Sequence, residues 1–402
     1  MGKLVVRRVG AGAVAVVGLP LAAVAGLVGM VFAAGLSSWI ALVACAGVFV
    51  FAGVAVLVGW VVFTVAGTAE AWRVAVGFGV LATVIAFAGG MVVFAPPGVP
   101  EPAAVPANVR FWHLPTGSHI AYVHAGGGGR PEPVVFLHGG PGTPAEGISP
   151  TGRALADSGF DVYAYDQVGA GRSTRLDDPT GYTVARHVAD LEAIRVTLGA
   201  PRMILIGQSW GASLAAQYLA AHPDRVAKAV FSSPGELWPQ AWPGGVGEPA
   251  ADYDRVLSAE SSPRLLLAAA LLSVNPKAAH GFMSDAEADQ RMREITLLLK
   301  DGADCPGSPP APVHDNLPGF YANQRTAIDF KAIPDPRPAL HGNPTPALVL
   351  RGSCDYIRPE VAAEYRTVFP NARLVEVPGA GHAIAHAQQA RYQALVTEFL
   401  GA

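Results

Sequence analysis

Charge is scarce in this 402-residue sequence, since Asp, Glu, Lys and Arg make up 15% of its residues, whereas they make up about 25% of a typical soluble domain. The deficit lies near the N-terminus, where Glu70 and Arg73 are the only charged side chains between Val9 and Ala95. This lack excludes an ordinary soluble surface for that part of the chain and indicates a membrane region.

Other absences exclude further classes of protein. The net charge of -3 comes without a basic patch, so nucleic acid is not an expected partner. The three cysteines lack the spacing of metal ligands, and we expect neither a metal nor a cofactor. Cys45 lies in the apolar region, whereas Cys305 and Cys354 would be able to pair if an oxidising compartment and the geometry allow it.

Three apolar stretches, at about residues 11–36, 39–65 and 74–95, are long enough to cross a bilayer as helices. None of them has a polar face, which favours transmembrane helices over the buried helices of a globular core. No charged residue falls within them, whereas a pore or transport site would normally have one. We therefore interpret residues 1–95 as a membrane anchor.

The flanking charges predict an orientation for these helices. The basic residues are Lys3, Arg7 and Arg8 before the first helix and Arg73 between the second and third. Because basic loops stay in the cytoplasm, the N-terminus is predicted to be inside and the chain after the third helix outside. Residues 96–109 are rich in proline, which predicts a stiff linker.

The chain after the linker predicts an α/β domain. Short apolar runs, typical of strands buried on both faces, alternate with helical patterns after an opening pair of strands. Residues 234–340 break this alternation and are helical and rich in proline. We expect residues 110–233 and 341–402 to form a mostly parallel sheet with helices on both faces, and residues 234–340 to form an inserted helical cap that shapes the substrate pocket.

The stretch GQSWGAS places Ser209 between two glycines, after the apolar run MILI and before a helical pattern. This is the setting of a nucleophile elbow, G-x-S-x-G, although a plain tight turn would also use these glycines. Asp355 and His382 each follow a predicted strand directly, in the chain order that a Ser-Asp-His triad on such a sheet requires. We expect Ser209 to be the nucleophile, His382 its base and Asp355 the residue that orients the base.

Each of these residues also has a plainer interpretation. Asp355 would serve as the N-cap of the helix that follows it, and His382 would sit in a surface turn. His386 lies four residues after His382, but HAIAH lacks the glutamate of H-E-x-x-H, which argues against zinc. The order and the placement of all three residues at strand ends favour the triad.

The stretch HGGPG, from His138 to Gly142, follows the strand-like run PVVFL. Its glycines would let the loop approach a reacting carbonyl closely, although a plain turn would also explain them. We expect the backbone amide of Trp210 to be one donor of an oxyanion hole and that of Gly140 to be the other, with Gly139 as the alternative.

Together HGGPG, DQVGAGRS, GQSWGAS, GSCD and GAGH resemble the proline iminopeptidase group of α/β hydrolases over about residues 110–402. The resemblance implies the α/β-hydrolase fold with a helical cap and a triad of Ser209, Asp355 and His382. It also implies release of an N-terminal residue, often proline, through an acyl-enzyme.

The sequence departs from this group at two positions. Val168 stands where the group usually has the arginine of D-Q-R-G, and WPQAWP ends in Pro243 where the group's motif has a glutamate that holds the substrate's amine. The cap contains other carboxylates, and the sequence does not choose among them: Asp252, Asp254, Glu260, Asp285, Glu287, Asp289 and Glu294.

These observations predict a membrane-anchored serine hydrolase outside the cytoplasmic membrane, acting as an aminopeptidase on short peptides with proline-type N-terminal residues. The alternative is a carboxylesterase or amidase of small lipophilic substrates, which suits the apolar cap and the membrane location. A non-catalytic receptor or scaffold is a third hypothesis, but it would have no need of a complete triad and oxyanion loop. A buried carboxylate aimed at the substrate's amine separates the first two, because only an exopeptidase needs one.

Overall fold

The computed structural model describes residues 2–247, 262–299, 303–308 and 312–401. These residues form two compact units. We call residues 2–98 together with residues 262–284 the helical unit, and the rest of the described chain the sheet unit.

Three long helices dominate the helical unit: α1 (Gly2–Ala34), α2 (Ile40–Ala66) and α3 (Ala71–Val93). Each is long and apolar enough to cross a bilayer, as the sequence predicts. The helix α1 begins before the predicted residue 11, because its hydrogen bonding continues through the basic residues that precede the apolar stretch. Glycines bring these helices close together, since a Cβ at Gly18 would lie 2.6 Å from a methyl of Val58.

Two shorter helices complete the helical unit: α7 (Pro263–Val274) and α8 (Pro276–Phe282). Their residues fall within the interval 234–340 that the sequence assigns to a cap on the sheet. The structure divides that interval, because residues 262–284 pack with α1–α3 whereas the described residues after them pack in the sheet unit. An apolar helix suits either environment, so its composition alone does not decide between them.

The sheet unit contains an eight-stranded sheet in the order β1-β2-β4-β3-β5-β6-β7-β8. Its strands are β1 (Arg110–His113), β2 (His119–Ala125), β3 (Val134–Leu137), β4 (Val162–Tyr165), β5 (Met203–Gln208), β6 (Val226–Ser232), β7 (Ala347–Gly352) and β8 (Ala372–Val377). The first two pairings, β1 with β2 and β2 with β4, are antiparallel, and all later pairings are parallel. The predicted mostly parallel sheet is confirmed.

Helices of the sheet unit follow most of the strands, as predicted. They are α4 (Pro150–Asp157), α5 (Val184–Thr197), α6 (Trp210–Ala221), α9 (Asp285–Leu299), α10 (Phe320–Phe330), α11 (Arg337–Leu340), α12 (Pro359–Val368), α13 (Ile384–Ala387) and α14 (Gln389–Leu400). Capping side chains fix where several begin: the Ser149 hydroxyl accepts from the amide of Gly152 at 3.1 Å, and Thr183 does the same for Arg186 at 3.1 Å.

The register of the parallel strands determines where the functional residues lie. Leu137 of β3 pairs with Gly207 of β5, and Gln208 pairs with Ser232 of β6. Because parallel strands end at the same edge of a sheet, the loops after β3, β5, β6, β7 and β8 meet there.

Candidate active site

Ser209 lies between the last residue of β5 and the first residue of α6 with φ 54° and ψ -122°. Few residues other than glycine adopt a positive φ, so this turn is strained. Its amide donates to the carbonyl of Ser232 at 3.0 Å, and its carbonyl accepts from the amide of Gly235 at 3.2 Å. A Cβ at Gly207 would lie 2.3 Å from the carbonyl oxygen of Gly211, so the flanking glycines are required for the turn.

Asp355 and His382, which follow β7 and β8, are buried and in contact. His382 Nδ1 lies 2.9 Å from Asp355 Oδ1, and that oxygen also accepts the amide of Ile357 at 3.0 Å. Burial favours the neutral acid, but the hydrogen bond and charge of His382 outweigh it and hold the pKa of Asp355 below its usual value. The ionised Asp355 fixes the proton on Nδ1, which leaves Nε2 of His382 as the ring's proton acceptor.

The loop of His382 also lies beside the elbow. The Gln208 side chain, one residue before Ser209, approaches the carbonyl of His382 with its Nε2 at 3.5 Å. The structure therefore brings all three predicted triad residues to the same edge of the sheet.

The glycine-rich loop after β3 packs against the elbow. A Cβ at Gly139 would lie 2.7 Å from Gln208 Oε1 and 3.1 Å from Ser209 Cβ. Gly140 has φ 112°, a conformation that favours glycine. The amides of Gly140 and Trp210 donate no hydrogen bond to any residue within the described ranges, so both are available to a ligand.

Two residues outside the predicted site connect this loop with the elbow. Gln167 donates its amide to His138 Nε2 at 2.9 Å and its side-chain Nε2 to the His138 carbonyl at 2.8 Å. The Gln167 Oε1 atom accepts from Trp210 Nε1 at 2.9 Å. His138 Nδ1, which lies 3.0 Å from the Gly139 carbonyl, must then carry the ring's proton. Burial lowers the pKa of His138 to about 4, so the imidazole is neutral and acts as a fixed bridge.

A disulfide joins Cys305 to Cys354, with the two Cα atoms 5.3 Å apart. The sequence leaves this pairing open, and the structure shows it. Cys354 directly precedes Asp355, and the carbonyl of Ala303 accepts the amide of His382 at 2.8 Å. The disulfide therefore fastens the turn that begins at Ala303 to both the acid and the histidine loops.

Comparison with known proteins assigns the family. Residues 132–386, more than half of the chain, match the family with the α/β-hydrolase fold. The chain belongs to the α/β-hydrolase family. A proline iminopeptidase of Lactobacillus delbrueckii subsp. bulgaricus is 30% identical over 278 residues, which cover 67% of this chain and 89% of that protein.

Solved structures show the same fold at lower identity. Epoxide hydrolase A of Mycobacterium thermoresistibile has a TM-score of 0.51 at 23% identity, covering 73% of this hydrolase and 97% of that chain. A structure from a study of carboxylesterases of Nitrososphaera gargenis has a TM-score of 0.51 at 15% identity. The match covers 73% of this chain and 98% of that chain. At these identities the likeness extends to the fold alone.

The hydrolase also has an acidic residue beside the candidate triad, Glu236. It follows Gly235, whose amide binds the carbonyl of Ser209. Burial, and then the negative charges of Asp355 and Glu236, raise the pKa of Tyr356 to about 12. The Tyr356 ring lies 4.5 Å from the ring of His382, and the bond from Gly235 to Ser209 places the Glu236 backbone beside the elbow.

The Glu236 carboxylate is poorly solvated and has no cation paired with it. Burial is the main cause that raises its pKa, and the negative charge of Glu364 adds to the rise, whereas a hydrogen bond from its own backbone amide and the charge of Lys331 partly oppose it. Among the described residues, no cation forms an ion pair with Glu236.

The predicted cap carboxylates differ from Glu236. Buried Asp289 pairs with Arg175 at 2.8 Å and accepts the amide of Phe320 at 2.8 Å, and burial raises its pKa to about 6. Glu294 pairs with Arg291 at 2.8 Å. These two carboxylates are already engaged within the protein. Three other candidates lie outside the described residues: Asp252, Asp254 and Glu260.

A cavity of about 380 Å³ opens beside the elbow. Its lining includes Gly139 and Gln208, the residue before Ser209, and its apolar wall includes Phe136, Ile206 and Ile384. A volume of this size accommodates a small organic group.

Proposed function

We propose that this hydrolase is a serine hydrolase with Ser209 as nucleophile. The contact between His382 and Asp355, at the sheet edge that also carries the Ser209 turn, is the observation that carries the proposal. Asp355 holds the imidazole with Nδ1 protonated, so Nε2 is the base for the serine hydroxyl. The amides of Trp210 and Gly140 serve as the oxyanion donors, and Gly139 keeps the loop close to Ser209.

The reaction has two halves. Ser209 Oγ attacks the substrate carbonyl while His382 Nε2 takes the hydroxyl proton, and the negative oxygen is stabilised by the two amides. His382 then gives the proton to the leaving group, and an acyl-enzyme remains on Ser209. Water attacks this ester as His382 again accepts a proton, and the acid is released when Ser209 regains its proton.

We further propose that the substrate is a short peptide with a free, proline-type N-terminal residue. The kinship with a proline iminopeptidase supports this activity, and Glu236 supplies the carboxylate that an aminopeptidase needs near its nucleophile. A protonated N-terminal amine would pair with Glu236, whereas an N-blocked substrate would leave this poorly solvated carboxylate unpaired.

The test compares three substrates with the full-length protein in detergent: a prolyl arylamide, its N-blocked form and a short acyl ester. We expect preference for the free-amine compound. Since a hydrogen bond to a charged group contributes about 1.5–3 kcal/mol, Glu236→Gln should lower kcat/KM for that compound roughly 10- to 100-fold. The ester should change little, and Glu360→Gln, at an exposed glutamate of α12, should change neither. If the native protein and both variants hydrolyse the free-amine and N-blocked compounds equally fast, the protein is not an aminopeptidase, but the proposal of a serine hydrolase is unaffected.

A carboxylesterase or amidase is the second candidate, and the apolar cavity that reaches Gly139 favours it. An enzyme that places a lipophilic group there would prefer the acyl ester and would hydrolyse it faster as the apolar group grows to fill the cavity. The same three substrates therefore distinguish the two activities.

We also propose that α1–α3 anchor the enzyme in the cytoplasmic membrane with the sheet unit outside. The basic residues before α1 support this orientation, and the disulfide between Cys305 and Cys354 is of the kind that persists in oxidising compartments. Protease added to intact spheroplasts should then digest the sheet unit, and protection of the sheet unit would contradict the orientation.

A further inference from the structure

The short helices α7 and α8 are bonded to the ends of the long helices. The Asn275 side chain, between α7 and α8, donates to the carbonyl of Ala34 at the end of α1, at 2.8 Å. The Arg264 guanidinium, at the start of α7, donates to the carbonyl of Phe94 at the end of α3, at 2.5 Å, and to the carbonyl of Phe282 at 2.8 Å. Carbonyls at helix ends lack partners within their own helix, so α7 and α8 satisfy them.

Apolar contacts join the same elements. The rings of Phe94 and Phe282 lie 6.5 Å apart, and a Cβ at Gly281 would be 3.5 Å from Ile40 Cβ at the start of α2. The pair α7–α8 thus covers the end of the bundle at which α1 and α3 finish and α2 begins. In the proposed orientation, this is the outer end.

The helix α7 has no polar face. Its inner side is buried and consists of Leu267, Ala268, Leu271 and Leu272. Its outer side has the helical spacing i, i+3, i+7, i+8 and consists of Leu266, Ala269, Ser273 and Val274. Leu266 is 58% exposed and Val274 is 46% exposed, and the Ser273 hydroxyl is bonded within the helix, to the carbonyl of Ala270. A helix in water would carry charged or polar residues on such a side.

The length of α7 excludes a further transmembrane span. Its 12 residues extend roughly 18 Å, against about 30 Å for the hydrocarbon core of a bilayer. Arg264 and Lys277 flank its apolar run, with no charged residue between them. Because α7 is apolar all round and its inner side packs on the protein, its outer side is suited to acyl chains and not to water.

We propose that α7 lies in the outer interface of the bilayer, with Leu266 and Ala269 facing the acyl chains of the outer leaflet. This inference rests on the proposed anchoring of α1–α3 in the membrane. Lipid is the occupant because α7 is attached where the apolar outer surface of the long helices continues: Val92, near the end of α3, is 78% exposed. Part of the insertion between β6 and β7 thus belongs to the lipid-bound surface of the hydrolase, in addition to α1–α3.

The test uses the full-length protein in liposomes of phosphatidylcholine and phosphatidylglycerol. Cys45, the free cysteine, is replaced by serine, and single cysteines for spin labels are introduced as Leu266→Cys and, independently, Ala269→Cys. Collision of each label with oxygen, which concentrates in lipid, is compared with collision with a water-soluble nickel complex. We expect oxygen to dominate at both positions, at a depth of about 5–10 Å below the headgroups.

Two control labels keep the outcomes distinct. Leu21→Cys, at an exposed position of α1, reports on the anchoring itself, and Glu360→Cys reports on water. If Leu21 is lipid-exposed while Leu266 and Ala269 collide mainly with nickel, the inference is overturned and the anchoring stands. If Leu21 also collides mainly with nickel, the anchoring fails and the inference fails with it. Poor access of both reagents to Leu266 and Ala269 would mean that protein, such as a second copy of the chain, covers α7, which also overturns the inference.

Discussion

The disulfide between Cys305 and Cys354 should contribute both to stability and to the position of His382, the proposed base. It closes a loop of 49 residues, for which the chain-entropy relation gives about 4 kcal/mol of stabilisation. For a unit of this size, that corresponds to a rise in unfolding temperature on the order of 10 °C.

The effect on catalysis follows from the turn that the disulfide fastens. The carbonyl of Ala303 accepts the amide of His382 at 2.8 Å, and this contact is two residues from Cys305. A hydrogen bond of this kind contributes about 1 kcal/mol. If the turn at Ala303 loses this hydrogen bond to His382 when the disulfide is reduced, kcat/KM should fall roughly fivefold.

The assay follows thermal unfolding and hydrolysis of the full-length protein in detergent, with and without a phosphine reductant. The reduced protein and a Cys305→Ala/Cys354→Ala variant should both unfold at lower temperature and react more slowly. A Cys45→Ala variant should behave as the native protein, and the reductant should have no effect on the double variant. An unchanged unfolding temperature, in protein shown by mass to be fully reduced, would mean that the disulfide does not stabilise the fold.

Three further predictions concern polar side chains that are buried or half-buried. Trp210→Phe removes the donor to Gln167 Oε1 and should cost about 1–3 kcal/mol in denaturant unfolding; unchanged stability would show that this bridge contributes nothing. Arg175→Met leaves Asp289 buried without its partner and should cost about 3–5 kcal/mol at pH 8. Because burial already raises the pKa of Asp289 to about 6, protonation should relieve that cost at pH 5, and an equal loss at both pH values would contradict this. The pKa of Glu236 is also raised, so on acidification its carboxylate is protonated at a higher pH than that of an ordinary glutamate. KM for the free-amine substrate should rise in that pH range. If Glu236→Gln shows the same dependence of KM on pH, Glu236 does not bind the substrate's amine.

Local features of the sequence predicted the strands and the elbow. Gly207 and Gly211 flank Ser209 because the turn brings their backbones together, so that a Cβ at Gly207 would lie 2.3 Å from the Gly211 carbonyl oxygen, and this constraint is visible in the motif. The placement of Asp355 and His382 after strands was also visible, since parallel strands bring their carboxyl ends to the same edge.

Contacts between distant residues could not be predicted in this way. Glu236 lies four residues after the end of β6, within residues 234–340 but not among the cap carboxylates named from the sequence. Its segment is held by the Trp238 indole, which donates to the carbonyl of Ile333, 95 positions away, at 3.1 Å. His138 and Gln167 both lie within motifs read from the sequence, but their pairing across 29 positions leaves no periodic signal.

The position of α7 also depends on contacts between distant residues. Its apolar residues suit the core of a cap and a membrane equally well, so composition did not separate the two. The contact of Arg264 with Phe94, 170 positions away, places it with the long helices.

Covalent labelling shows directly whether Ser209 is the nucleophile. The full-length protein in detergent is treated with a fluorophosphonate, digested and mapped by mass spectrometry, beside a Ser209→Ala variant that unfolds at the native temperature. We expect one adduct, on Ser209, and none in the variant. Failure of the native protein to react, or an adduct that persists in Ser209→Ala, would show that Ser209 is not the nucleophile.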